Sequence, residues 1–129
     1  CAMKRQEYQP QGLHAPISHY CDAVRWGDLL FISGLTPLDQ DMKLVSDDVA
    51  EQARQIFRNM KIVLDAAGAG FGDVLKVTVY LLDVADRARI NPARREVFGE
   101  ARPASTLIGV RELAIPGMKI EIEAVVGLR

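Results

Sequence analysis

The chain has no excess of charge of either sign and no long apolar run. It carries 16 Lys and Arg against 17 Asp and Glu, for a formal net charge of −1, whereas proteins that bind nucleic acid through its phosphates need a basic patch or stripe. Its longest apolar runs, such as Leu29-Leu-Phe-Ile32, fall far short of the roughly 20 residues of a membrane helix. No signal peptide is expected at its start. Neither nucleic acid nor a membrane is therefore expected as a partner.

Motifs for disulfides and metals are also missing. The two cysteines, Cys1 and Cys21, form neither a CxxC pair nor a disulfide framework, which favours a reducing, cytoplasmic setting. The two histidines, His14 and His19, have no carboxylate or cysteine at ligand spacing nearby. No metal site is predicted, and no cofactor is expected.

What is present is an alternation of strand-like and helix-like segments in a chain of 129 residues, which suits one domain with one core. Short apolar segments on either side of Gly27-Asp28 predict a hairpin. Apolar residues over positions 49–67 recur at helical spacing behind Ser46 as N-cap, which predicts the first helix. Residues 1–20 show no periodicity and are expected to form an N-terminal arm.

The second half continues the alternation. Its predicted elements are a buried strand over residues 74–82, a short helical turn over residues 83–90, and a helix from Asn91 as N-cap through Pro92 to Phe98. Two further strands are predicted over residues 102–113 and 119–126, joined by Ala114-Ile-Pro-Gly117. The order β-β-α-β-α-β-β predicts an α+β domain of two layers, with two helices on one face of a mixed sheet. The other face has nothing in the same chain to cover it, which predicts that subunits meet there.

The last strand carries two carboxylates on one face. Strand residues two apart point to the same side, so Lys119, Glu121 and Glu123 share one face while Ile120 and Ile122 point to the other. Such a strand either faces water or lines a polar cleft. The pattern leaves both readings open.

Several short motifs follow one another along the chain in a characteristic order. They are Tyr20, Trp26-Gly-Asp-Leu-Leu-Phe-Ile-Ser-Gly34, Leu64-Asp-Ala-Ala-Gly68, Val74-x-Lys-Val-Thr-Val-Tyr-Leu-x-Asp83, Asn91, Arg102-Pro-Ala and Lys119-Ile-Glu-Ile-Glu-Ala124. In this order the chain resembles the RidA/YjgF family, also called the L-PSP endoribonuclease-like family, over nearly its whole length. The resemblance implies a chorismate-mutase-like fold and a homotrimer with ligand clefts between subunits. It also implies a small-molecule substrate, with hydrolysis of enamine or imine intermediates, such as 2-aminoacrylate, to 2-oxo acids and ammonia.

The resemblance also implies roles for particular residues. Glu121 matches the position that holds the hydrolytic water and is the predicted catalytic residue. The predicted substrate-binding residues are Tyr20, Ser33, Asn91, Ser105 and Arg102. Each has an ordinary structural alternative, such as a solvated carboxylate for Glu121 or a helix N-cap for Asn91. For Glu123 the structural explanation is the favoured one.

One departure from the family pattern concerns the substrate's carboxylate. In the family's deaminases an arginine directly follows the Pro-Ala of the penultimate strand and clamps that carboxylate. Here Pro103-Ala104 is followed by Ser105, which has no charge. Arg102 could turn into the cleft, whereas Arg111 would lie ~20 Å along the strand. The departure favours an aminomuconate-like substrate over 2-aminoacrylate. The alternative is a non-catalytic ligand-binding or regulatory trimer, and a ribonuclease is disfavoured by the net charge.

Overall fold

A six-stranded mixed sheet carries two helices in the computed structural model, which describes residues 4–129. The strands are β1 (Arg5–Tyr8), β2 (Ala23–Trp26), β3 (Leu29–Leu35), β4 (Val74–Leu81), β5 (Ala104–Gly109) and β6 (Ile120–Gly127), and the helices are α1 (Val49–Ala66) and α2 (Arg87–Phe98). The strand order is β1-β2-β3-β6-β4-β5. Among the described strands, only β4 and β5 pair in parallel. The predicted α+β class, with its hairpin and its two helices on a mixed sheet, is confirmed. Cys1 lies outside the described residues.

Helix α1 covers the sheet with the predicted apolar stripe. Its buried apolar residues are Val49, Ala53, Ile56, Phe57, Met60, Val63 and Leu64. The predicted N-cap at Ser46 is wrong, because Asp48 occupies that position. The Ser46 hydroxyl instead accepts the backbone N–H of Asp48 at 2.9 Å, a local turn that delays the start of the helix. Within residues 4–129 neither helix is both long and apolar enough to cross a membrane.

Helix α2 begins earlier than the sequence pattern predicts. The Asp83 carboxylate accepts the backbone N–H of Ala85 at 2.9 Å and caps a 3₁₀ turn, Val84–Asp86, that runs directly into the helix. The prediction of Asn91 as N-cap is therefore wrong, and Pro92 lies inside the helix. A proline in the second turn removes one backbone hydrogen bond, and the helix continues past it because the preceding turn is already formed.

The N-terminal arm contains an edge strand that the sequence pattern did not predict. Strand β1 pairs with β2, from Arg5 opposite Trp26 to Tyr8 opposite Ala23. Its first three residues are exposed, so the alternation of buried and exposed positions that marks a half-buried strand is absent. Its pairing depends on backbone hydrogen bonds to β2.

The sheet face opposite the helices exposes an apolar patch. On the covered side of β4, Val77, Val79 and Leu81 are buried as predicted. The residues of the exposed patch are Trp26, Leu29, Phe31, Leu75 and Ile108, each between 39% and 51% exposed. Large apolar side chains that share one sheet face are typical of an interaction surface.

The buried amide of Gln52 fixes where β6 begins. Its Nε2 donates to the carbonyl oxygens of Ser46 at 2.8 Å and Gly117 at 3.0 Å, and its Oε1 accepts the Lys119 N–H at 2.8 Å. Because Gln52 is fully buried, these bonds are the means by which its amide is satisfied. The amide thus joins α1 to Lys119, the residue directly before β6.

Candidate active site

The six predicted site residues line two different cavities. Tyr20, Ser33 and Glu121 belong to a cavity of about 320 Å³, hereafter the carboxylate cavity, whose wall also includes Ile17, Ser18, Gly34, Thr36 and Ala114. Asn91, Arg102 and Ser105 belong to one of about 430 Å³, hereafter the arginine cavity, whose wall also includes Arg94, Arg95, Phe98, Gly99, Ala101 and Pro103. Three predicted residues therefore meet in each cavity, and one chain does not bring all six together.

The two cavities belong to opposite faces of the sheet. Glu121 lies opposite Tyr80 in the pairing of β6 with β4, on the face away from the helices. Ser105 lies opposite Val77 in the pairing of β5 with β4, and Val77 is buried beneath the helices. Since neighbouring residues on a strand alternate between faces, the Glu121 and Ser105 side chains point away from each other.

The Glu121 carboxylate is only partly exposed. Burial raises its pKa above the ordinary value of 4.5, and the nearby negative charge of Glu123 raises it further. No hydrogen bond to the carboxylate counteracts this shift within the described part of the chain. A carboxyl group whose pKa is moved toward neutrality is suited to exchange protons with a substrate or a water molecule near pH 7.

Glu123 is held differently, although it shares the same strand face. The Tyr80 hydroxyl donates to its Oε1 at 2.5 Å, and this bond is the main reason why the pKa of Tyr80 is raised. Glu123 is thus a structural hydrogen-bond acceptor, whereas the neighbouring Glu121 faces a cavity.

Gly34 makes the space that the Glu121 carboxylate occupies. The pairing of β3 with β6 shifts register between Ile32 and Leu35, so Gly34 lies in an irregular stretch of strand. A Cβ atom on Gly34 would lie 2.2 Å from Oε2 of Glu121 and 2.9 Å from its Cδ. Glycine inside a strand often marks such a close approach. Sequence reasoning missed Gly34 as a site residue, although it belongs to the Ile-Ser-Gly motif.

Two of the hydroxyl groups in the wall of the carboxylate cavity, those of Tyr20 and Ser33, differ in hydrogen-bonding capacity. The Tyr20 hydroxyl oxygen accepts the backbone N–H of Ile17 at 3.3 Å, which leaves its own proton available to a ligand. The Ser33 hydroxyl donates to the carbonyl oxygen of Cys21 at 2.7 Å, so toward a ligand Ser33 can only accept. Of these two predicted residues, Tyr20 is therefore the one that can donate a hydrogen bond to a ligand, beside the carboxyl group of Glu121.

A buried histidine stands behind the carboxylate cavity. His14 Nδ1 lies 2.7 Å from the carbonyl oxygen of Ala15, and Nε2 lies 2.7 Å from the Thr36 hydroxyl. Because a carbonyl oxygen only accepts, Nδ1 carries a proton and donates to Ala15, and the Thr36 hydroxyl is the hydrogen-bond partner of Nε2. Burial also raises the pKa of nearby Asp22. His14 thus supports the cavity wall through Thr36.

Among residues 4–129 no three His, Cys, Asp or Glu side chains cluster as metal ligands would.

The arginine cavity is lined by cations. Arg94 Nη2 donates to the Ser105 hydroxyl at 3.0 Å. Arg95 and Arg102 also belong to the wall, and none of the described residues that line it is a carboxylate. Burial lowers the pKa of Arg94. Sequence reasoning missed Arg94, although it lies three residues after Asn91 and so on the same helix face.

Comparison with known proteins agrees with the fold and the motifs. Residues 12–127 match the family model described as Endoribonuclease L-PSP. A RutC family protein of Pyrococcus horikoshii is 42% identical over 111 residues, 85% of this chain and 87% of that protein. A 2-iminobutanoate/2-iminopropanoate deaminase of Escherichia coli K12 is 37% identical over 114 residues, 86% of this chain and 88% of that protein. The crystal structure of the YjgF gene product of E. coli matches with a TM-score of 0.88 at 34% identity, over 96% of this chain and 99% of that chain. The chain therefore belongs to the endoribonuclease L-PSP family, which is the RidA/YjgF family that its motifs resemble.

Proposed function

We propose that this protein is a deaminase that hydrolyses a reactive enamine or imine to an oxo compound and ammonia. The observation that carries the proposal is the partly buried carboxyl group of Glu121, whose pKa is raised and which faces a cavity beside the Tyr20 phenol. The names of three relatives, each a 2-iminobutanoate/2-iminopropanoate deaminase, support the reaction class.

The proposed reaction needs one proton carrier and one positioned water. The Glu121 carboxylate accepts a proton from water as the water oxygen bonds to the imine carbon, and the electrons of the C=N bond move to nitrogen. The protonated carboxyl group then returns that proton to nitrogen. In the resulting carbinolamine the Glu121 carboxylate carries the hydroxyl proton to nitrogen. The C=O bond then forms as the C–N bond breaks and ammonia leaves, so imine and water become oxo compound and ammonia. The Tyr20 hydroxyl donates a hydrogen bond to the substrate and orients it, and keeps its proton.

We further propose that the complete site forms between copies of the chain, in a homotrimer. Two observations support this: the predicted site residues are divided between opposite sheet faces, and the face that carries Glu121 also exposes the apolar patch around Phe31. A partner that covers the patch can bring its arginine cavity to the carboxylate cavity of its neighbour.

The first test measures turnover. The protein is added to freshly generated 2-iminobutanoate or 2-aminoacrylate, and release of the 2-oxo acid is compared with spontaneous hydrolysis in buffer. We expect a clear acceleration that depends on protein concentration. A rate equal to that in buffer, together with saturable calorimetric binding of small metabolites, would favour the non-catalytic trimer. Turnover restricted to an aminomuconate would support the narrower substrate that Ser105 suggested.

The second test asks whether one site draws on two chains. A Glu121→Gln variant damages the carboxylate cavity, and a Ser105→Trp variant fills the arginine cavity, so each alone should lack activity. After joint refolding in equal amounts, a cyclic trimer should regain about a quarter of wild-type turnover, because mixed trimers contain one intact site. Light scattering should give a trimer of the 14.2 kDa chain. A monomer, or a mixture as inactive as its components, would contradict the shared site.

Two further predictions rest on amino-acid composition alone. The cysteine content favours the cytoplasm. The net charge of −1 disfavours RNA as a substrate, although the matching family model is described as an endoribonuclease. RNA cleavage that stays constant per mole of protein through successive purification steps would show that RNA is also a substrate.

A further inference from the structure

Arg94 is a partly buried cation with no acidic partner among the described residues. Its guanidinium donates a hydrogen bond to a neutral group, the Ser105 hydroxyl, at 3.0 Å. Burial lowers its pKa, which means that the surroundings do not compensate the guanidinium for the water it has lost. A guanidinium has five N–H donors, so most of its capacity remains for another group.

The positive charges around Arg94 favour the binding of an anion. Arg95 and Arg102 line the same cavity, and within residues 4–129 no acidic residue belongs to its wall. The acidic side chain nearest in sequence, Glu96, is bound to Arg54 through both of its oxygens, at 3.1 and 3.3 Å. Three arginines that share one wall without a counter-charge raise the local potential and favour a bound anion.

The shape of the cavity indicates what kind of anion fits. A volume of about 430 Å³ admits a small organic molecule rather than a bare ion. The hydrogen bond from Arg94 to Ser105 joins α2 to the edge strand β5 and holds the guanidinium in place. A planar guanidinium held in this way presents two parallel N–H groups, which match the two oxygens of a carboxylate.

We propose that Arg94 binds the carboxylate of the substrate, and that Ser105 is the positioning residue that orients its guanidinium. The inference rests on the proposed function and deepens it, because it makes the substrate a 2-imino acid whose carboxylate is held by a helix residue of one chain. The charge that Ser105 lacks is supplied from the neighbouring helix. An ordinary 2-imino acid is therefore an adequate substrate, and an aminomuconate is not required.

The direct test is binding of the product, which needs no turnover. Calorimetry with 2-oxobutanoate is carried out on the 129-residue wild-type chain and on Arg94→Met, which keeps an unbranched side chain of similar reach. Arg87→Met is the matched control, since Arg87 is an exposed arginine of the same helix. We expect the Kd to rise about 100-fold for Arg94→Met and to stay unchanged for Arg87→Met. Equal affinity of the two variants would overturn the inference.

Further variants distinguish a role of Arg94 in binding from a purely structural role of its hydrogen bond to Ser105. Ser105→Ala removes that hydrogen bond but leaves the positive charge of Arg94, so we expect it to weaken binding by less than about tenfold. Arg94→Lys keeps the positive charge but lacks the two parallel N–H groups of a guanidinium, so it should weaken binding by more than Ser105→Ala does. Should Arg94→Met fail to fold, as judged by circular dichroism, Arg94→Lys decides the question. Loss of affinity in Ser105→Ala as large as in Arg94→Met would assign Arg94 a structural role and overturn the inference.

Two ligands control for the chemistry that is recognised. The neutral analogue 2-oxobutanamide should bind wild type and Arg94→Met equally weakly. Inorganic phosphate at the same ionic strength should bind wild type much more weakly than 2-oxobutanoate, and equal affinity for the two would replace the carboxylate site by a general anion site. In turnover, Arg94→Met should raise KM far more than it lowers kcat. Binding of 2-oxobutanoate that depends on Arg94 without any turnover would refute the deaminase alone, whereas wild-type kinetics of Arg94→Met would refute only this inference.

Discussion

Replacement of Glu121 by glutamine should lower kcat/KM for 2-imino acids by about 100-fold or more and at the same time stabilise the protein at pH 7. The loss of activity follows because an amide can neither accept the proton of water nor return it to nitrogen. The gain in stability follows because the wild-type carboxylate is partly buried beside Glu123, and these two factors raise its pKa. One substitution is thus expected to move activity and stability in opposite directions.

The pH dependence of stability tests the second half of this prediction. A carboxyl group whose pKa is raised on folding binds its proton more tightly in the folded state, so its favourable contribution is complete below the unfolded pKa. That contribution is lost as pH rises through the folded pKa, which lies above 4.5. The free energy of unfolding of Glu121→Gln should therefore exceed that of wild type at pH 7, and the difference should disappear below about pH 4.

The matched control is Glu123→Gln, on the same strand face. Glutamine can still accept the Tyr80 hydroxyl, so this variant should retain most activity at pH 7. Because Glu123 contributes to the raised pKa of Glu121, the acid limb of its kcat/KM profile should move to lower pH. Thermal unfolding is compared at one protein concentration, since an oligomer's Tm depends on it. Equal loss of turnover in both variants, or full turnover in Glu121→Gln, would contradict the assigned role.

Much of the fold could be predicted from short-range patterns in the sequence. The helical spacing of the residues that α1 buries and the alternation along β6 are direct consequences of backbone geometry, and the structure confirms both. The errors occur where backbone pairing or a neighbouring turn outweighs the pattern. Strand β1 has no apolar alternation to reveal it, and the turn capped by Asp83 starts α2 before the Asn91-Pro92 signal.

The candidate site was harder to predict from sequence, because its residues are far apart along the chain and come together only in the folded structure. Glu121 could be nominated from its motif, but the glycine that makes room for its carboxylate is visible only once β3 and β6 are paired. Arg94 lies eleven residues from Ser105, and only the packing of α2 against β5 brings the two together. The division of the predicted residues between two cavities likewise depends on strand order, which no local motif encodes.

Substitution of Gly34 by alanine should reduce kcat/KM by about 100-fold while the fold is retained, because displacement of a reacting group by roughly 1 Å can cost this much. The new Cβ would lie 2.2 Å from Oε2 of Glu121, closer than any non-bonded contact allows. The carboxylate ends a flexible side chain and can move aside, and Gly34 does not have a positive φ that alanine would resist. The variant should therefore fold with a misplaced Glu121.

The pH profile distinguishes displacement of the carboxylate from general damage to the protein. A carboxylate that is pushed toward water loses part of the burial that raises its pKa, so the acid limb of the residual activity should move down toward pH 4.5, the ordinary value for a glutamate. Gly72→Ala is the matched control, because a Cβ there meets no atom within 4 Å, and it should keep wild-type rates. If Gly34→Ala keeps both the rate and the acid limb of wild type, Glu121 does not act from the position in which Gly34 accommodates it.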